Sequence, residues 1–286
     1  MTAAADSPEF HVDWRDDVAV FTIRRAAKLN ALTKGVLEGL SGCLDELERR
    51  GAPALVVVGE GEKAFCAGTD LAELTGMPDE ARHAKTRYAR ALLVRLHRSP
   101  VVSVAAVNGL AFGGGMELAM ACTFRVAAPH ATFALPEVKL GVFPVYGGTQ
   151  FLPALVGGPR AVDLMITGRT LDCAEALSMG LVSRVASLAG PVAGSGAERA
   201  LATAGGVPMK AALVVEQAIA LARSVTCWSR VAVGAIRASV DAAGPVVTDA
   251  GLAEEERQSQ RTMASEDGKE GVRAFVEKRA PVFRHR

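Results

Sequence analysis

The sequence predicts an α/β fold on a mainly parallel sheet, followed by a helical C-terminal section. Three observations carry this. Leu55–Val58 is a short, wholly apolar run and Val101–Val107 a second, largely apolar one, the pattern of strands buried on both faces. Segments with apolar residues at helical spacing alternate with them, which implies right-handed βαβ units. From about residue 210 onward strand-like runs cease and helix-like segments follow one another.

Each element has its own local reason. Val18–Ile23 alternates and is rich in β-branched residues, so it reads as a strand. Thr33 is placed to N-cap a helix in which Val36, Leu37, Leu40, Leu44 and Leu47 share one face. Glu46, Glu48, Arg49 and Arg50 are left to solvent, and Gly51 stops the helix. A second helix covers about Ala81–His97, with Leu92, Leu93 and Leu96 toward the core, and Pro100 ends it. A short helix, Met116–Cys122, follows the glycines Gly113–Gly115, and Thr123–Val126 and Ala131–Ala134 read as further short strands. The predicted helices of the last part are Ala211–Arg223, Trp228–Ala242, Gly251–Met263 and Lys269–Lys278. Between the two parts Gly, Ala, Ser and Pro dominate and periodicity disappears. The expected organisation is therefore a core over 1–186, a linker or insertion over 187–209 and a helical section over 210–286. The sequence shows no internal repeat.

Composition excludes several classes of protein. The 286 residues suffice for one or two domains at roughly 150 residues each. With 50% hydrophobic and 22% charged residues, the chain is not disordered. A formal charge of +1 gives no general drive toward nucleic acid or anionic membrane. No apolar run reaches the roughly 18 residues of a membrane span. The acidic start, Met1 through Asp6 to Glu9, is unlike a secretory signal. The cysteines Cys43, Cys66, Cys122, Cys173 and Cys227 are scattered and form no CxxC, which suits reduced thiols and a cytoplasmic address. No cluster of metal ligands stands out, and His11, His83, His97, His130 and His285 are isolated.

Chemistry concentrates where apolar strands give way to glycines and acids. Ala64-Phe65-Cys66-Ala67-Gly68-Thr69-Asp70 follows the Leu55–Val58 strand. Ala67 and Gly68 are small enough for a ligand to approach the main chain, leaving the Thr69 N–H as a donor. A tight turn capped by Asp70 accounts for the same letters. In Asn108-Gly109-Leu110-Ala111-Phe112-Gly113-Gly114-Gly115-Met116-Glu117, three glycines open a helix. Such a terminus can hold an anion, or a carbonyl oxygen that becomes negative in a transition state, with Glu117 in the first turn beside it. Glu117 can equally serve only to offset the helix dipole. The glycines match neither GxGxxG nor GxxxxGK[ST], which weakens a nucleotide site. The third segment is Leu135-Pro136-Glu137, continued by Leu140-Gly141 and Pro144-Val145-Tyr146-Gly147-Gly148-Thr149-Gln150. Glu137 lies between apolar stretches, where an unpaired carboxylate is costly. If Glu117 and Glu137 face each other across one substrate, burial and mutual repulsion would raise at least one pKa, as acid–base chemistry near neutral pH requires. An ion pair of Glu137 with Lys139 is the competing arrangement.

Together these segments resemble the crotonase (enoyl-CoA hydratase/isomerase) superfamily. The resemblance runs from about Phe21 to Phe283 and also includes Arg24–Leu32, ending Asn30-Ala31-Leu32, Thr167–Val182 and Glu270–Phe283. It implies a spiral of ββα turns, helices that trimerise, often as a dimer of trimers, and an acyl-CoA thioester as substrate. CoA is then part of the substrate, and neither a cofactor nor a metal is required. By motif, the two oxyanion-hole amides fall on Thr69 and Gly114 and the two catalytic glutamates of the hydratase branch on Glu117 and Glu137. Both glutamates are present, which implies hydration of a trans-2-enoyl-CoA to a 3-hydroxyacyl-CoA. Ala67, Asp70, Gly113 and Val145 fall on the substrate-binding segments. The adenine and phosphates would lie near Arg24–Leu29 and near residues of a neighbouring subunit matching Phe275 and Lys278. Arg24, Arg25 and Lys28 offer charge there, though each also fits a solvated surface position.

The chain departs from the hydratase pattern at Val145, where Gly is usual, and at Tyr146, which enlarges a loop that shapes the acyl pocket. Thr69 replaces a commoner Ala without affecting the N–H. The 187–208 stretch resembles an insertion. Rival readings are a Δ3,Δ2-enoyl-CoA isomerase or another crotonase-type reaction, and a catalytically silent binding protein, including one for RNA. Near-zero net charge opposes RNA, and retention of both glutamates opposes silence. Two glutamates could also serve a glycosidase, but only two Trp and two Tyr are available to stack sugars.

Overall fold

The computed structural model describes residues 7–187, 209–243 and 248–284. The chain runs through β1 (Phe10–Arg15), β2 (Val18–Ile23), α1 (Lys34–Arg50), β3 (Ala54–Gly59), β4 (Ala64–Cys66), α2 (Leu71–Thr75) and α3 (Asp79–Arg98). It continues through β5 (Val102–Val107), β6 (Leu110–Phe112), α4 (Gly114–Ala121), β7 (Phe124–Ala127), β8 (Thr132–Ala134) and a 3₁₀ turn at Glu137–Leu140. Next come α5 (Gly148–Val156), α6 (Gly158–Thr167), β9 (Leu171–Asp172), α7 (Cys173–Ser178) and β10 (Arg184–Val185). The helical section comprises α8 (Met209–Thr226), α9 (Arg230–Ala243), α10 (Asp249–Ala264) and α11 (Glu266–Val276).

Two sheets, where the sequence suggested one, organise the core. The larger has the order β1-β2-β3-β5-β7-β10 and is parallel except for the β1–β2 pair. The smaller has the order β4-β6-β8-β9 and is parallel except for β8–β9. Successive pairs β3–β4, β5–β6 and β7–β8 each place one strand in either sheet, so the backbone spirals. The repeat is geometric and leaves no trace in the letters: each turn needs an apolar run and a small-residue corner, not the same residues.

Local sequence explains the regular parts. Every residue of β3 and of β5 is buried. The Thr33 hydroxyl accepts the Val36 N–H at 3.2 Å and Gly51 closes α1 at φ +61, while Val36, Leu37, Leu40, Leu44 and Leu47 enter the core. Each such leucine contributes about 1.5–3 kcal/mol by leaving water. β1 escapes the periodicity because it is an edge strand burying only Phe10 and Val12. Strands β4, β6, β9 and β10, of two or three residues, are too short to show alternation. α5 carries Pro153 inside it and breaks against α6 at Gly157, so neither helix announces itself by spacing.

The helical section folds back on the core. α8 buries Val214, Val215, Ala218, Ile219, Leu221 and Ala222 and lies on β3 and β5. α10 packs on α5, and α11 on the Glu137–Leu140 turn. No single helix among the described residues is long and apolar enough to cross a membrane. The linker or insertion expected at 187–209 falls, over 188–208, outside the described residues.

Candidate active site

Two wholly buried asparagines fix the frame. Asn30, at φ +56, donates to the carbonyls of Glu60 at 3.0 Å and Ala64 at 2.8 Å, and accepts the Arg25 N–H at 3.1 Å. Asn108 donates to the carbonyls of Gly59 at 2.8 Å and Gly61 at 2.6 Å. Both clamp the crossing from β3 to β4, whose backbone groups would otherwise be buried unpaired. The loop beyond β4 is pinned in turn. Arg25 donates to Asp70 Oδ2 and to the Ala31 carbonyl, each at 2.7 Å, and stands 3.2 Å from the Glu9 carboxylate. Asp70 also caps α2 through Ala72 N and Glu73 N. Arg25 and Asp70 are thus committed to each other, so the structure takes Arg25 from the set of surface cations the sequence offered.

On this frame the Ala67–Asp70 loop meets the start of α4. The Leu32 N–H donates to the Gly68 carbonyl and the Asp70 N–H to the Leu32 carbonyl, as across a parallel ladder, which turns the Thr69 N–H away from Leu32. Gly68, at φ +100, lies so close to the facing loop that a Cβ there would stand 3.1 Å from Gly114 N. Gly114 opens α4, where the first N–H groups have no intrahelical acceptor. The amides of Thr69 and Gly114 are therefore neighbours at one helix terminus.

Glu117, in the first turn of α4, is buried, and its Oε1 accepts N–H bonds from Tyr146 and Gly148, both at 2.8 Å. Glu137 opens the 3₁₀ turn, and its Oε2 is buried with no hydrogen-bond partner. A Cβ at position 113 would stand 2.9 Å from Glu137 Oε1, and Gly113 holds φ +52, so only glycine leaves room for this carboxyl. Burial raises the pKa of both acids, and the charges of Glu137 and then Glu255 raise Glu117 further. Glu137 is pushed up to about 7. The pair holds a proton near neutral pH. Two N–H donors favour the ionised form of Glu117, while the donorless Glu137 oxygen favours the acid. Among the described residues Lys139 forms no ion pair with Glu137, and the expected alternative of such a pair lapses with the orphaned Oε2.

A family model described as enoyl-CoA hydratase/isomerase matches residues 13–200. A probable enoyl-CoA hydratase of Mycobacterium bovis is 35% identical over 269 residues, covering 94% of this chain and 95% of that protein. One of Rhizobium meliloti is 35% identical over 275 residues, covering 96% and 97%. The chain belongs to the enoyl-CoA hydratase/isomerase family. Among solved structures, a carnitinyl-CoA hydratase from Mycobacterium avium superposes with a TM-score of 0.78 at 31% identity, covering 98% of this chain and 100% of the other. An enoyl-CoA hydratase from Bacillus anthracis gives 0.71 at 32% identity, covering 97% and 100%. The chain is an enzyme of this hydratase/isomerase class.

The remaining residues expected to bind substrate in this enoyl-CoA hydratase/isomerase chain divide in two. Ala67 and Gly113 lie at the two amides, and Val145 is half-buried in the loop that supplies the donors to Glu117. Arg24, 3.9 Å from the Glu60 carboxylate, is on the surface. Phe275 and Lys278 are exposed at and just beyond the C-terminal end of α11. One further residue of the site was read only in part from the sequence, and another escaped it. Tyr146 is buried with its hydroxyl 2.7 Å from Thr69 Oγ1, and a Cβ on Gly114 would meet its ring at 3.0 Å, so the ring roofs the amide pair. Its bulk was legible, but not its direction. Glu255 of α10 is buried beside the same loop. Glu254-Glu255-Glu256 reads as a solvated face, and nothing in the letters separates the middle residue. No group of three metal-ligating side chains stands together among the described residues.

Proposed function

We propose that this enzyme hydrates a trans-2-enoyl-CoA to a 3-hydroxyacyl-CoA. The observation that carries the proposal is the convergence of two buried carboxyls of unlike hydrogen bonding, Glu117 and Glu137, beside the adjacent amides of Thr69 and Gly114. The amides polarise the thioester carbonyl and hold the enolate oxygen, each contributing on the order of 3–4 kcal/mol. Ionised Glu117 takes a proton from water as its oxygen bonds to Cβ. Glu137 delivers its proton to Cα, and exchange between the two carboxyls restores the starting state. Such acid–base assistance is worth about 10²–10⁴-fold. Tyr146 roofs the pocket and limits the bulk of the acyl group.

Loss of the conjugated absorbance of 2-enoyl thioesters measures the reaction directly. Glu117→Gln and Glu137→Gln are each expected to lower the rate by about 10²–10⁴-fold. Intact turnover in either variant refutes the two-acid scheme. Conversion of a 3-enoyl thioester to the conjugated form without subsequent hydration assigns an isomerase instead.

The proposed assembly is a homotrimer or a dimer of trimers. Trp228, Val231, Ile236 and Val240 are 65–84% exposed on and before α9, an apolar surface suited to a second copy. Sedimentation at several concentrations tests this, and a monomer throughout refutes it.

A further inference from the structure

The N–H groups of residues 146–149 are shared alternately by two buried carboxylates. Tyr146 and Gly148 donate to Glu117 Oε1, each at 2.8 Å. Gly147 donates to Glu255 Oε1 at 2.9 Å, Thr149 N to Glu255 Oε2 at 3.2 Å, and the Thr149 hydroxyl to that same oxygen. Glu255 comes from α10, in the helical section, more than a hundred residues away in the chain. We infer that Glu255 is a positioning residue for the reaction: by holding the Gly147 and Thr149 amides, it sets the Tyr146 and Gly148 amides that aim Glu117. This rests on the reading of Glu117 as the base that activates water.

The mechanical argument is short. Consecutive amides are joined through planar peptide units, so displacing Gly147 or Thr149 displaces its neighbours too. Successive N–H groups at a helix start point in one general direction, toward helix-stabilising anions. Two carboxylates from different elements divide them, and neither alone satisfies all four. Small errors in a base's position are expensive in rate. The coupling is also electrostatic. The Glu255 charge makes Glu117 hold a proton more tightly and hence a stronger base. The groups facing this pair are Glu137 and Tyr146 toward Glu117, and Arg90 of α3 toward Glu255. Arg90 pairs with Glu256 and has Arg87 nearby. The phenol of Tyr146, its pKa raised by burial, stays neutral over the working range.

The test compares kcat, KM and the pH profile of hydration for the full-length wild type, Glu255→Gln, Glu255→Asp, Thr149→Val and Glu117→Gln on one trans-2-enoyl thioester. Glu255→Gln, which keeps the shape and removes the charge, is expected to lower kcat by about 10-fold or more, with KM changed less than about 3-fold. Its acid limb, where Glu117 becomes protonated, is expected to move to lower pH by about half a unit or more, because a neighbouring negative charge has gone. Glu255→Asp and Thr149→Val are expected to lower kcat while leaving that limb in place. A wild-type kcat in Glu255→Gln overturns the inference, as does a fall in kcat with an unmoved limb, which marks a merely structural residue. Should Glu255→Gln fail to fold, Thr149→Val decides, and an unchanged kcat there is the overturning result. Intact turnover in Glu117→Gln instead removes the assignment of the base, and is separable because it does not involve position 255.

Discussion

Replacing Glu137 by Gln is expected to cost activity and add stability, and the size of the gain follows from burial. Glu137 Oε2 is buried with no donor, and burial lifts this carboxyl from 4.5 to about 7. The folded chain therefore keeps a proton between pH 4.5 and about 7 that the unfolded chain has lost. Stability then falls as pH rises across that window, because the native state binds more protons there. At about 1.4 kcal/mol per pH unit the decline reaches about 3 kcal/mol and is complete by about pH 8. Glu137→Gln has no proton to lose and escapes it. Urea unfolding of both chains, at equal protein concentration and at pH 5 and pH 8, measures the difference. The variant is expected to gain on the wild type by about 2.5 kcal/mol between the two pH values, while its hydration rate falls. An equal stability difference at both pH values would show that ionised Glu137 meets compensating donors, and the proton assignment within the pair would fall with it.

Two further outcomes are expected. Tyr146→Ala opens the space above Gly114 and removes the bond to Thr69 Oγ1. It should raise kcat/KM for longer or branched 2-enoyl thioesters relative to short ones and cost about 3–5 kcal/mol of stability; an unchanged ranking across an acyl panel counts against Tyr146 as the roof. Asn108→Ala leaves the buried carbonyl of Gly59 and the partly buried one of Gly61 without their donor. Thermal unfolding should register a loss of about 1–3 kcal/mol, and an unchanged melting temperature would mean that water replaces the amide.

What the letters contain is local. Thr33, Gly51 and the leucines between them specify α1 wherever it is placed, because capping and helical spacing act within a few residues. The same holds for β3 and β5, whose largely apolar runs, interrupted in β5 by Ser103, demand burial on both faces. Glu117 and Glu137 were legible as candidates because an acid beside glycines or between apolar runs is unusual. Their roles came from the order of motifs along the chain. Edge strand β1 hid behind its His, Asp and Arg, and the short strands of the second sheet behind their length. Arg25 resembled any surface cation until Asp70, far along the chain, closed on it. Glu255 is the extreme case: of three adjacent glutamates, the middle one is buried against the Gly147–Thr149 amides solely because α10 returns to α5. Periodicity is an interaction among neighbours and survives in the sequence. Which carboxylate meets which amide depends on chain closure over a hundred residues, and only the folded molecule decides it.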